Sequence, residues 1–254
     1  MNYENFYDDL QPLQKSTKDS LASLQKFFKA VGKDTESGDV KSLARDLDSM
    51  AQAAAALTSF LDSMRETVNG FDTKSYFESG EFASQMLEQC QEKGVDVQGE
   101  SPIYEMFPYR VRIDAENQDL YLDRKKVQCM RPRSFVELVH AGQEKLNKAP
   151  FKPEIFASEL ADAYDTAALK MGKHAGADIY LSTLYKFLAP MSRFRKEYDQ
   201  QSFAFDLARL YISRQEETKT GRQFQFGPCR NEKKAIRILD QNGQEQFLST
   251  ICFY

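Results

Sequence analysis

Few residues in this chain have the types and spacing that catalysis needs. Tyr109, Val111 and Ile113 alternate with Arg110, Arg112 and Asp114, and after a polar turn a second run reads Leu120-Tyr121-Leu122-Asp123-Arg124-Lys125. Carboxylates on two paired strands, with a lysine two residues after the second, could hold a divalent ion and activate water. Glu81 or Glu88 on a preceding helix could add a ligand. The two histidines, His140 and His174, fall on or beside different predicted helices, an arrangement that suits packing or surface positions better than acid–base work. Phosphate-cradling GxxxxGK(S/T), GxGxxG, GxSxG and HExxH are all absent, as is any zinc-ligand spacing. No cofactor, metal site or catalytic residue is therefore assigned.

An acidic residue ending one strand, followed by D-x-K on its hairpin partner, resembles the core of metal-dependent PD-(D/E)xK nucleases. The resemblance spans Asp114 to Lys125 and implies Mg²⁺ held by Asp114 and Asp123, with Lys125 stabilising charge. The proline that precedes the motif in that family is missing here, and so are the parallel strands and crossover helix. A solvated hairpin with mixed charge on its wet face accounts for the same residues.

Cations offer a second kind of chemistry. Arg110, Arg112, Arg124, Lys125, Lys126, Arg131 and Arg133 fall within 24 residues that hold four acids, a set that could contact phosphates. Met191 to Tyr198 adds three cations beside two aromatics, which reads as a loop anchored by Phe194 and Tyr198. Three predicted helices (153–171, 178–189 and 199–214) then precede strands and a tight hairpin, the order of a winged-helix domain. That order would send the third helix into a major groove and make the hairpin the wing. Gln200, Gln201 and Arg209 on the helix, with Lys233, Lys234 and Arg237 on the wing, would be the contacts. Asp206 and Glu216-Glu217 weaken the basic character of that face.

The elements that must position these residues begin with the clearest pattern in the chain. Val40, Leu43, Leu47, Met50, Ala54, Leu57, Leu61, Met64 and Val68 keep a 3-4 spacing without a miss. Such spacing predicts one continuous helix with an apolar seam, roughly 43 Å long at 1.5 Å per residue. Leu10, Leu13, Leu24, Phe27 and Val31 fit the same frame, with Thr17 and Ser20 at its polar positions, and predict a first helix from Pro12 to Val31 with Gly32 as its stop. Gly38 precedes the second helix, with Asp39 as its N-cap. The pair reads as an antiparallel hairpin joined by about seven residues. Ala44, Ala51, Ala53, Thr58 and Phe60 stand where a two-stranded coil usually carries charge, so Ala44, Ala51, Ala53 and Phe60 are candidate partner-binding positions. A third helix is expected over 79–93, and residues 94–102, with two glycines and a proline, read as the domain boundary. Beyond it come the hairpin at 109–127, a helix capped by Ser134, and helices opening at Pro153, Ile179 and Asp199. Strands are expected at 223–226, 235–240 and 245–253, the last two joined at Asn242-Gly243.

Composition sets the outer bounds. The 254 residues are 41% hydrophobic and 28% charged, with a net charge of −4. Residues 1–100 carry ten cations against 18 acids, and the remainder 24 against 20, which excludes a strongly basic chain but leaves room for a basic face in the second part. No run of 18 apolar residues is present, so no membrane contact is expected. An acidic N-terminus and four dispersed cysteines without a CxxC pair point to a cytoplasmic protein with reduced thiols.

The expected fold is α+β and predominantly helical: an N-terminal helical hairpin or bundle over 1–94, then a mixed domain over 95–254 with two β-hairpins and a winged-helix-like order. The expected function is a non-enzymatic interaction or assembly subunit that binds a protein partner or its own copy through the N-terminal helices. Nucleic acid bound through the C-terminal domain, as an accessory to a nucleic-acid-associated complex, is the extension that the charge asymmetry supports. The alternatives are a winged-helix DNA-binding protein and the nuclease.

Overall fold

The structure is a computed structural model that describes residues 1–254 except 124, 192, 230–233 and 241–243, together with the side chain of residue 194. It is α+β and mostly helical. Two compact units divide the chain: Met1–Glu88 with Asp114–Asp119 and Gln128–Ser134, and Gln89–Ile113 with Leu120–Val127 and Phe135–Tyr254.

The first unit is built on a long antiparallel pair, α1 (Tyr3–Ser37) and α2 (Val40–Gly70). Helix α1 starts nine residues before Pro12, because the Asn2 side chain accepts hydrogen bonds from the backbone of Glu4 and Asn5. Tyr3 and Phe6 also fix that first turn against Phe71, with ring centroids 5.4 and 4.5 Å away. Gly32 does not stop the helix. Gly38 does, in the left-handed conformation (φ +74°) that an L side chain resists, and it leaves a two-residue turn instead of seven. Asp39 then caps α2 by accepting from the Ser42 N–H at 3.1 Å. Among the described residues neither long helix holds a fully buried side chain. The buried part of this unit lies instead at Tyr76, Phe77 and Phe82. A short helix outside the sequence expectation, α3 (Thr73–Glu78), precedes α4 (Glu81–Lys93), the helix expected over 79–93. The two are separated at Gly80, whose φ of +78° breaks the helical path.

The linker-like stretch after Gly94 contains a strand. β1 (Gln98–Glu100), β2 (Ile103–Met106), β3 (Tyr109–Asp114), β4 (Asp119–Leu122) and β5 (Lys125–Val127) form a sheet in that order. Helix α5 (Pro132–Lys148) begins at Pro132 and not at Ser134, since proline suits a first turn. It packs on the sheet through Gln143, whose Nε2 donates to the carbonyls of Met106 (3.2 Å) and Phe107 (2.8 Å).

The last third runs α6 (Pro153–Met171), β6 (Ile179–Tyr180), α7 (Leu181–Leu188), α8 (Gln200–Ile212), β7 (Phe224–Gly227), β8 (Ile236–Leu239), β9 (Glu245–Leu248) and β10 (Thr250–Phe253). Ile179 and Tyr180 form a strand and not the start of a helix, because they pair with Ile251 and Thr250. The expected strand over 245–253 is two: β9 pairs with β8, while β10 lies between β6 and β7. The Asn242-Gly243 turn falls outside the described residues, but Asp240 N–H donates to the Gln244 carbonyl at 2.9 Å and closes the hairpin around it. Leu160, Tyr164, Ile179, Leu184, Phe203 and Phe253 anchor the core of this region. Helix, strand, two helices, strand, hairpin and strand is thus the order of elements in this region.

Candidate functional site

On α2 the sequence pattern splits into two faces. Leu43, Met50, Leu57 and Met64 turn toward α1 with Asp46, Ala53 and Phe60, and all are half-buried. Thr17 lies opposite Met64, its hydroxyl 3.6 Å from the sulfur and bonded to the Leu13 carbonyl at 2.8 Å. The other half of the apolar set stands in solvent: Val40 is 72% exposed, Leu47 42%, Leu61 43% and Val68 51%. The four candidate partner positions divide along the same line. Ala53 and Phe60 serve the intramolecular seam, and Ala44 and Ala51 lie on the exposed face beside Val40 and Leu47.

The exposed face has its own periodicity. Val40, Ala44, Leu47, Ala51, Ala54, Thr58, Leu61, Arg65 and Val68 are spaced 4-3 throughout, and every one is exposed. At 3.6 residues per turn this stripe lies about 100° around the helix from the α1-facing seam. In an antiparallel pair the equivalent flanks of the two helices lie side by side, so Leu21 (47% exposed) and Phe28 (68%) of α1 widen the same surface. The opposite flank is a shallow groove of about 420 Å³ rimmed by Asp19, Ser20, Ser23, Ser49 and Gln52, with Phe27, Ala53 and Ala56 along it. The exposed large apolar side chains of α1 and α2 among the described residues thus lie on one flank. Leu21 and Phe28 fell outside the sequence argument; their seven-residue separation, off the α1 seam, was the signal available.

The cations expected to meet phosphate are mostly occupied. Arg110 Nε sits 3.0 Å from Glu105, and the Arg237 guanidinium pairs with Glu105 and, at 2.7 Å, with Glu245. Glu105 is 8% exposed; burial pushes its carboxyl up, while Arg237 and Arg110 pull it down. Arg112 lies over the Tyr121 ring at 4.0 Å, and Lys234 is 5.1 Å from the Tyr180 ring. Arg131 makes a bidentate bond to Glu4 and covers Tyr7 at 3.5 Å, which ties residues 128–134 to α1. Lys125 and Lys126 are exposed; Arg124 and Lys233 lie outside the described residues.

Arg209 is the most committed of all. Its guanidinium donates to the Leu146 and Ala149 carbonyls at 3.2 Å and stacks 4.1 Å over Phe151. Phe205, one turn earlier, stacks on Phe107 at 6.0 Å, and Asp206 accepts the Tyr198 hydroxyl at 2.9 Å. The middle turns of α8, the helix expected to enter a groove, are packed within their own unit. Gln200 is exposed at its start and Gln201 half-buried.

The acidic constellation performs backbone work. Asp114 accepts from the Asn117 backbone at 3.1 Å and closes the β3–β4 turn. Asp123, at φ +57°, accepts from the Arg110 N–H at 3.0 Å. Its pKa is pushed up to about 6, first by burial and further by Asp199, with the Arg110 hydrogen bond opposing. Every strand pairing with a defined register among the described residues is antiparallel, and no group of three metal-ligating side chains is found among them. His174 is exposed, its Nδ1 2.8 Å from the Ala175 carbonyl oxygen. No helix among the described residues is long and apolar enough to cross a membrane.

Set against known proteins, the chain matches no family model, no curated protein and no solved structure.

Proposed function

We propose that this chain is a non-enzymatic interaction or assembly subunit of the cytoplasm whose α2 helix docks another polypeptide. One observation carries the reading: the exposed stripe from Val40 to Val68. Exposed apolar side chains are normal when scattered, but a contiguous row rimmed by polar residues marks an interaction surface. A helix seated there would bury the row as a and d positions of a coil. The DNA-binding reading has the winged-helix order behind it. Its key cations, however, are spent on Glu105, Glu245 and the carbonyls near Ala149, and packed side chains cover the middle of its recognition helix. The nuclease reading has Asp114 and Asp123 behind it, and both hold backbone N–H groups.

The test is a full-length chain carrying Leu47→Glu and Leu61→Glu. Its helical content is expected to match the wild type, because neither residue faces α1, while capture of whatever the wild-type chain binds is lost. Undiminished capture by the variant would refute the reading.

A further inference from the structure

We infer that the occupant of the α2 stripe is a second copy of α2, packed antiparallel. The inference rests on the docking reading above and adds the identity of the partner. In the antiparallel register that sets Ala51 beside Ala54, the two copies of α2 overlap over residues 40–65, most of the length of the seam that already holds α1. A twofold interface must be self-complementary, and this one is. Packed antiparallel, with Ala51 level with Ala54 of the other copy, Leu47 comes level with Thr58 and Leu61 with Ala44. Each of these three layers sets a large side chain against a small one, or two small ones together, which lets the backbones run close there. At the ends Val40 comes level with the aliphatic stem of Arg65, and Val68 lies beyond the start of the other α2.

Charge selects this arrangement over its rivals. Asp62 and Arg65 pair with each other at 2.8 Å within each helix. In the stated register Lys41 of the other copy flanks that Asp62, twice by symmetry, and Arg65 lies level with the helix start where Asp39 caps α2. Sliding one copy by a heptad would set Asp48 against Asp62. A parallel, in-register pair would place Arg65 on Arg65 and alternate wide leucine layers with narrow alanine ones. Both rivals meet like charges at close range.

Cysteine pairs in the full chain test the geometry. The Ala51→Cys/Ala54→Cys variant, treated with a short thiol cross-linker beside the wild type with its native cysteines, should become a covalent dimer. Ala44→Cys should stay uncross-linked, since its copy would lie two turns or more beyond reach. Lys41→Asp should weaken association roughly tenfold, and adding Asp62→Lys should restore it. A cross-linked Ala44→Cys chain would show a parallel pair and overturn the inference. No cross-link at any of these positions would overturn it as well. In that case the Leu47→Glu/Leu61→Glu capture experiment decides the docking reading separately: lost capture keeps it with a different partner, and unchanged capture removes both.

Discussion

Arg237 and Glu105, 132 residues apart, form an ion pair inside the second unit and tie the C-terminal hairpin to strand β2. The carboxylate is nearly buried, so removing Arg237 leaves it with Arg110 alone, a partner 3.0 Å away whose side chain is largely in solvent. Arg237→Ala is expected to destabilise the chain by about 2–4 kcal/mol in urea unfolding. The double change Glu105→Leu/Arg237→Met should cost clearly less than Arg237→Ala alone. A larger loss in the double variant would mean the pair contributes net stability.

Asp123 predicts a pH dependence of definite sign. The folded chain keeps a proton on this carboxyl up to about pH 6, whereas an ordinary aspartate loses it near 3.8. Between those values the unfolded chain binds fewer protons, so rising pH favours unfolding. Its contribution is full below pH 4 and declines toward pH 6. Asp123→Asn keeps the acceptor for Arg110 N–H, and asparagine tolerates the left-handed backbone. The variant should therefore be more stable at pH 7, on the order of 1–2 kcal/mol after allowance for solvent screening, and equal to wild type near pH 3.5. Equal stability at both pH values would contradict the assignment.

Gly142 lets α5 approach Tyr109. A Cβ there would meet the Tyr109 hydroxyl and stand 2.9 Å from Cζ, while alanine in an ordinary helix interior would stabilise by about 1 kcal/mol over glycine. Here the sign should reverse: Gly142→Ala is expected to lower stability by about 1–3 kcal/mol. Tyr109→Phe in the same chain should recover part of the loss, as thermal unfolding can show.

The two faces of α2 should respond differently to truncation. Leu57 packs toward α1, so Leu57→Ala should lower the melting temperature at every protein concentration. Leu47 is open in the single chain, so Leu47→Ala should chiefly reduce the dependence of melting temperature on concentration.

The sequence shows the α1 seam well, because Leu10, Leu13, Thr17, Ser20, Leu24, Phe27 and Val31 are the residues turned inward. It also shows Asp39 as the cap of α2 and the ends of the helices at 93 and 171, which depend on local backbone chemistry. It places the stop of α1 at Gly32, however, where the chain turns at Gly38. For α2, periodicity misleads by a fraction of a turn. The row through Val40, Leu47, Leu61 and Val68 is more apolar than the one that holds Asp46 and Thr67, yet the latter packs on α1. Hydrophobicity ranks faces but does not say which neighbour covers each. The strand pairing of Ile179 with Ile251 and the capture of Arg209 by the Ala149 carbonyl join residues 60 or more apart. No local pattern encodes such contacts.

Light scattering on the full-length chain reads the central claim most directly, since a covered stripe requires a second chain. The expected mass at micromolar concentration is about 58 kDa, twice the 29.2 kDa of one chain, falling to 29.2 kDa for Leu47→Glu/Leu61→Glu. A wild-type mass of 29.2 kDa at every concentration measured would contradict the antiparallel α2 pair.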